Sequence, residues 1–145
     1  MIDPQILIEA ACFERDRRGE SYPAKIGAGA DIEALTIDFQ CWCAIAGWME
    51  TGRFFGFHGG AEPERDDAPW ISWPQLEAAA VSALTHSNAK CDRLFAGGEG
   101  DGETYAEACN RRAKLTCIHR KVQLHRQLID SINAELRQTR EEIAA

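Results

Sequence analysis

Apolar residues recur along the last forty positions of this chain with the step of a coiled-coil seam. From Leu115 the series runs through Ile118, Val122, His125, Ile129, Ile132, Leu136, Thr139 and Ile143, in alternating steps of three and four. That period keeps one stripe of a helix facing a partner. His125 and Thr139 are its polar members. A long helix over 103–143 follows, opened by Thr104 with Glu107 at capping-box spacing. Its forty residues would span roughly 60 Å, while a compact chain of this length is about 40 Å across. Such a helix either bends, with Ser131-Ile132-Asn133 its poorest helix-forming stretch, or projects past its own domain. Projection would leave the seam for a second copy of the chain, a homodimer packed along Leu115, Ile118, Val122, Ile129, Ile132 and Leu136.

Three shorter helices precede it. Over 3–18, Asp3 is an N-cap, Pro4 stands at the first helical position, and Ile2 can staple onto Leu7. Ile6, Leu7, Ala10, Cys12 and Phe13 form the apolar side, and Gly19 marks a stop. Residues 19–30 then read as a connection. Asp31 caps a second helix that ends at Thr51 before Gly52. Its Ile32, Leu35, Phe39, Trp42, Ala46 and Met49 keep the three-four step, and Ile37, Cys41, Ile45 and Trp48 widen the face, so it belongs at the centre. Ser72 and Gln75 make a capping box for a third helix to about Phe95, with Ile71 placed to staple onto Leu76. Gly97 to Gly102 reads as a hinge. No segment sustains a period of two, and only Phe54 to Phe57 hints at a short strand. The expected fold is all-α: about four helices in a bundle-like single domain, with body 1–98 and a long C-terminal helix.

Charge changes this picture. The net charge is −7, but residues 1–107 hold nineteen acids and eight bases, a net of −11, whereas residues 108–145 hold four acids and eight bases, a net of +4. Arg111, Arg112, Lys114, Arg120, Lys121 and Arg126 crowd a stretch, Cys109–Leu128, that has no acid at all. The cationic helix either neutralises the acidic body within the chain or offers a second contact surface. The irregular stretch 52–71 concentrates Glu62, Glu64, Asp66 and Asp67 among aromatics, a candidate surface for a cationic partner.

Candidate chemistry is sparse. Cys41-x-Cys43 and Cys117-x-His119 resemble metal ligands in spacing, but residues two apart on a helix point about 200° apart. Neither pair can grip one ion, so no metal or other cofactor is expected. Phe57-His58-Gly59-Gly60 resembles an esterase oxyanion segment without the nucleophile elbow it needs. The Gly97–Gly102 cluster lacks the Gly-Lys-Ser/Thr ending of a phosphate loop. Six bases over sixteen residues of the last helix could follow phosphates, but the acidic body would be repelled by the same duplex, and no DNA-binding motif is present. No apolar run is long enough to span a membrane, and Met1-Ile2-Asp3-Pro4 lacks signal-peptide form. The expected compartment is the cytoplasm, with the six cysteines reduced.

These features leave a non-enzymatic protein that acts by contact. An acidic surface on a small helical domain can occupy a basic channel built for nucleic acid, because the channel responds to charge density whatever supplies it. In general character the chain resembles the small acidic inhibitors encoded by phages, the anti-CRISPR proteins among them; the likeness lies in size and charge rather than in aligned residues. It implies an inhibitor or adaptor of a nucleic-acid-handling complex, with no membrane partner. The alternatives are a self-associating helical scaffold and a nucleic-acid binder using the basic helix. On the leading reading, reversing the charge of Glu62, Glu64, Asp66 and Asp67 weakens partner binding and leaves the circular-dichroism helix signal unchanged. Undiminished affinity would remove this loop from the interface.

Overall fold

The computed structural model describes residues 3–52, 71–99 and 102–144, which form four helices: α1 (Pro4–Gly27), α2 (Ile32–Thr51), α3 (Trp73–Phe95) and α4 (Tyr105–Ala144). The caps read from the sequence stand at all four starts. The Asp3 carboxylate accepts from the Gln5 amide at 2.9 Å with Pro4 following, and the Asp31 carboxylate accepts from the Ala34 amide at 3.3 Å. At α3 the Ser72 hydroxyl and the Gln75 side chain satisfy each other's backbone amides, a complete capping box. Thr104 Oγ1 accepts from the Glu107 amide at 3.1 Å at the start of α4. Each cap satisfies amides that a helix start leaves without partners.

The first helix departs from expectation. Gly19 does not stop it, and the predicted connection over 19–30 is helical as far as Gly27. Gly19 serves packing: a β-carbon there would stand 3.2 Å from the Phe39 ring of α2. Pro23 lies within the helix, and the added turns are docked onto α2 by a 2.6 Å hydrogen bond between Tyr22 Oη and Thr36 Oγ1. Tertiary contacts thus outweigh two local breakers. The stop falls at Gly29, whose φ of 83° suits glycine. There the Ala30 amide reaches the Lys25 carbonyl and the Gly29 amide the Ile26 carbonyl, the pattern of a Schellman cap.

Adjacent helices run antiparallel. Cys12 meets Glu50 and Tyr22 meets Thr36 across α1 and α2. Lys90 meets Glu103, and Glu77 meets Arg126, across α3 and α4. The closest packing is α3 on α4 and α1 on α2, with lesser contacts of α1 on α4 and of α2 on α3. The result is an up-down-up-down all-α bundle. All four helices feed one core: Leu7 and Ala11 from α1, Cys41, Trp42 and Ile45 from α2, Leu76 and Ala83 from α3, and Leu115, Ile118 and Val122 from α4. Ile71 and Leu76, the pair expected to staple the start of α3, are both buried in it. On α1 the buried stripe is Leu7, Ala11 and Glu14; Ile6 and Phe13, expected inside, are exposed. No described helix is long and apolar enough to cross a membrane.

The four-helix body ends before α4 does. Leu115, Ile118 and Val122 are buried, and Ile129 packs at the edge of the core. Every residue from 130 to 144 is exposed. Those fifteen residues extend about 22 Å. The seam continues along them, with Ile132 43%, Leu136 50% and Ile143 80% exposed. The two halves of one sequence pattern therefore have different energetics. Ile118→Ala should cost about 2–5 kcal/mol, as a core truncation does, and Ile132→Ala no more than about 0.5 kcal/mol, as a surface change does. Urea denaturation of the two variants checks the contrast; equal losses would mean that residues 130–144 are covered.

Candidate interaction site

The charged residues of the structure sort into those taken up inside the bundle and those left outward. The inward set centres on Glu14, whose side chain is 1% exposed. Its Oε2 accepts from Arg18 Nη1 at 2.6 Å, and its Oε1 from Arg111 Nε at 2.7 Å. Arg111 Nη2 adds a third bond, to Oε2, at 3.1 Å. Arg18 Nε also donates to Asp38 Oδ2 at 2.6 Å, and its guanidinium lies 4.8 Å from the centre of the Trp42 ring. Arg111 sits 5.7 Å over the Phe13 ring. One buried carboxylate thus ties α1 to α4 directly and to α2 through Arg18. Burial alone would push the Glu14 carboxyl up; the hydrogen bonds and charges of Arg111 and Arg18 outweigh it and hold it below its ordinary value.

The basic residues singled out in the sequence do not form one surface. Arg111 is held by Glu14, and Arg126 pairs with Glu77 and, at 3.8 Å, with Asp130. Arg112 donates to Cys109 Sγ at 3.9 Å. Lys114 is half-buried in a groove between α1 and α4, about 300 Å³ in volume, with Phe13 and Leu115 among its walls and Glu9 and Glu107 beside it. Arg120 and Lys121 are the exposed members of the set. Neutralisation within the chain therefore accounts for Arg111 and Arg126. The acidic set Glu62, Glu64, Asp66 and Asp67 lies outside the described residues, as does the candidate strand 54–57.

The seam residues divide in the same way. Leu115, Ile118 and Val122 are occupied within the chain, so they are not free for a second copy. Ile129 is half-buried at the boundary, and Ile132 and Leu136 lie on the projecting segment. His125, a polar member of the seam, is covered by its own chain: its ring lies 5.0 Å from that of Trp48 and 4.6 Å from that of Trp73. The two indoles meet edge-on at 5.8 Å. This aromatic cluster closes the end of the body from which the last turns of α4 emerge. Burial lowers the pKa of the His125 imidazole, favouring its neutral form.

Sequence reasoning missed Glu14, because it stands beside Arg15, Arg17 and Arg18 and reads as part of a solvated face. The available signal was its spacing: Leu7, Ala11, Glu14 and Arg18 continue one stripe in steps of four, three and four. Comparison with protein-family models, with curated proteins and with solved structures gave no match.

Both shifted groups make the bundle acid-sensitive. A neutral His125 and an ionised Glu14 each favour the fold, so the stability each supplies is present above its ordinary value and lost as pH falls. The loss begins below about 6.5 for His125 and continues below about 4.5 as Glu14 is protonated. Urea midpoints measured between pH 8 and pH 3 should fall in that order; midpoints that rise on acidification would contradict it. Glu14→Gln should cost about 3–5 kcal/mol at neutral pH, because it leaves two arginines without their buried counter-charge.

Proposed function

We propose that this chain is a non-enzymatic interaction protein, an acidic inhibitor or adaptor that engages a nucleic-acid-handling complex through protein contacts. The observation that carries this reading is the fate of the basic residues of α4. Arg111 and Arg126 face the body and are taken up by Glu14 and Glu77. The positive charge most able to follow a phosphate backbone is therefore partly consumed, while the chain keeps a net charge of −7. Such a surface repels nucleic acid and attracts the basic channel of a protein that binds it. A contact of that kind forms quickly, weakens with salt and requires no chemistry from the chain itself.

A second reading has its own support. The exposed apolar seam over residues 130–144 suits self-association, in which a second copy covers Ile132, Leu136 and Ile143. The two readings are compatible, since a dimer can be the binding unit.

Two measurements separate them. Tagged protein is used to capture partners from host lysate with and without nuclease. A protein complex retained after nuclease is the expected result; partners lost with the nucleic acid would overturn the leading reading. The mass of the purified chain in solution, compared with that of Ile132→Asp/Leu136→Asp, tests self-association. A native dimer that the double variant reduces to monomers is expected on the second reading, and a native monomer would reject it. These positions are cleaner choices than Ile129, which also packs on the body.

A further inference from the structure

Four exposed apolar residues of α4 stand in one row that the heptad seam does not explain. Leu124 and Leu128 lie outside the seam, on the part of α4 that packs against the body, and are 55% and 54% exposed. Ile132 and Leu136 continue the row onto the projecting segment, 43% and 50% exposed. The four follow one another in steps of four. At 100° per residue such a row turns through about 120° and covers about 18 Å of the helix. Its two ends differ in charge. Arg120 and Lys121 flank the N-terminal end, and both are exposed. Glu135 and Glu142 flank the C-terminal end on the same side of the helix, and both are exposed. Among the described residues none of these four is ion-paired. Arg137 and Arg140 of the same segment share a different side of α4, with Asp130 and Asn133.

We propose that this face of α4 pairs with the same face of a second copy of the chain, antiparallel, about a two-fold axis near residue 130. The proposal rests on the self-association reading above and deepens it by giving the surface and the orientation. An axis there brings Leu124 level with the second copy's Leu136, and Leu128 level with its Ile132. It also sets Arg120 and Lys121 level with the stretch between the second copy's Glu135 and Glu142, each carboxylate within about one helical turn of a base. Two-fold symmetry repeats these contacts at the other end. A parallel two-fold pair would instead set Lys121 against Lys121 and Glu135 against Glu135, so charge selects the antiparallel arrangement. Length supports it as well. The two helices overlap from about residue 116 to residue 144, roughly 42 Å, nearly twice what residues 130–144 supply alone. The added length brings the contact closer to the roughly 1,200 Å² that a specific interface buries. Thr116, Arg120, Lys121, Leu124 and Leu128 are all exposed, so the outer flank of α4 is open to the second copy's last turns.

The test measures the dimer dissociation constant of the full-length chain by analytical ultracentrifugation at low salt. Its variants are Lys121→Glu, Glu135→Lys/Glu142→Lys, and Leu124→Asp/Leu128→Asp, each a change of exposed residues whose folding is checked by circular dichroism. A native dimer is expected. Each of the two charge variants alone should weaken it about tenfold, because attraction becomes repulsion at both ends. An equal mixture of the two should form heterodimers about as tight as the native pair, since both ends are then attractive again. Leu124→Asp/Leu128→Asp should be monomeric at concentrations where the native chain is paired. A native dimer that Lys121→Glu leaves unchanged would show like-with-like alignment and overturn the proposal. Survival of the dimer in Leu124→Asp/Leu128→Asp would overturn it too, and either result would leave self-association through residues 130–144 standing. A native monomer would overturn the proposal together with the reading on which it rests.

Discussion

The bundle depends on a carboxylate that has almost no contact with water. Glu14 continues the buried stripe of Leu7 and Ala11 on α1, where an isolated negative charge would be untenable. Its ionisation is tolerable because Arg18, from its own helix, and Arg111, from α4, both donate to it. Arg18 extends the network to Asp38 on α2. Apolar packing between helices allows slippage by a turn at modest cost; a buried ion pair with two arginine partners does not, since a shifted register strands charges. Glu14 thereby sets which turn of α4 lies against which turn of α1. The rest of α4 follows from that choice, including where Leu115, Ile118 and Val122 enter the core.

That register also determines what the long helix presents. With Arg111 fixed against Glu14, the helix runs beside the body past the Trp48–Trp73–His125 cluster to Ile129, and its residues 130–144 are then exposed. One heptad pattern serves two purposes in sequence: core for its first half and an uncovered apolar stripe for its second. The charge of α4 is divided in the same manner. Arg111 and Arg126 are paired within the chain, and Arg120 and Lys121 are exposed. The partly neutralised basic helix and the exposed apolar extension of an acidic chain are the grounds on which protein contacts, rather than nucleic acid, are proposed.

Much of the fold was legible in the sequence because capping is local chemistry. Asp31 and Gly52 bracket α2, and Ser72 with Gln75 opens α3, from residues within a few positions of each boundary. The extent of α1 was not legible. Gly19 and Pro23 carry stop signals, and what overrides them is Phe39 and Thr36 on a different helix. Glu14 failed for a related reason: a buried charge is recognisable only with its partner, and Arg111 lies 97 residues away. The seam was read correctly as a pattern, but period alone does not say whether the covering surface belongs to the same chain. For the first half it does. The acidic loop of Glu62 to Asp67 lies outside the described residues and stands on composition alone.

The most direct measurement is a titration of the full-length chain against short duplex DNA and single-stranded RNA over a range of salt. If the bases of α4 are taken up within the chain, binding should be no tighter than about 10⁻⁴ M at physiological salt, the weak end of non-specific binding. Micromolar affinity would contradict this, above all if its logarithm falls with the logarithm of salt at a slope near −5, as about six phosphate contacts would give. The basic helix would then be the working surface, and the acidic body only its support.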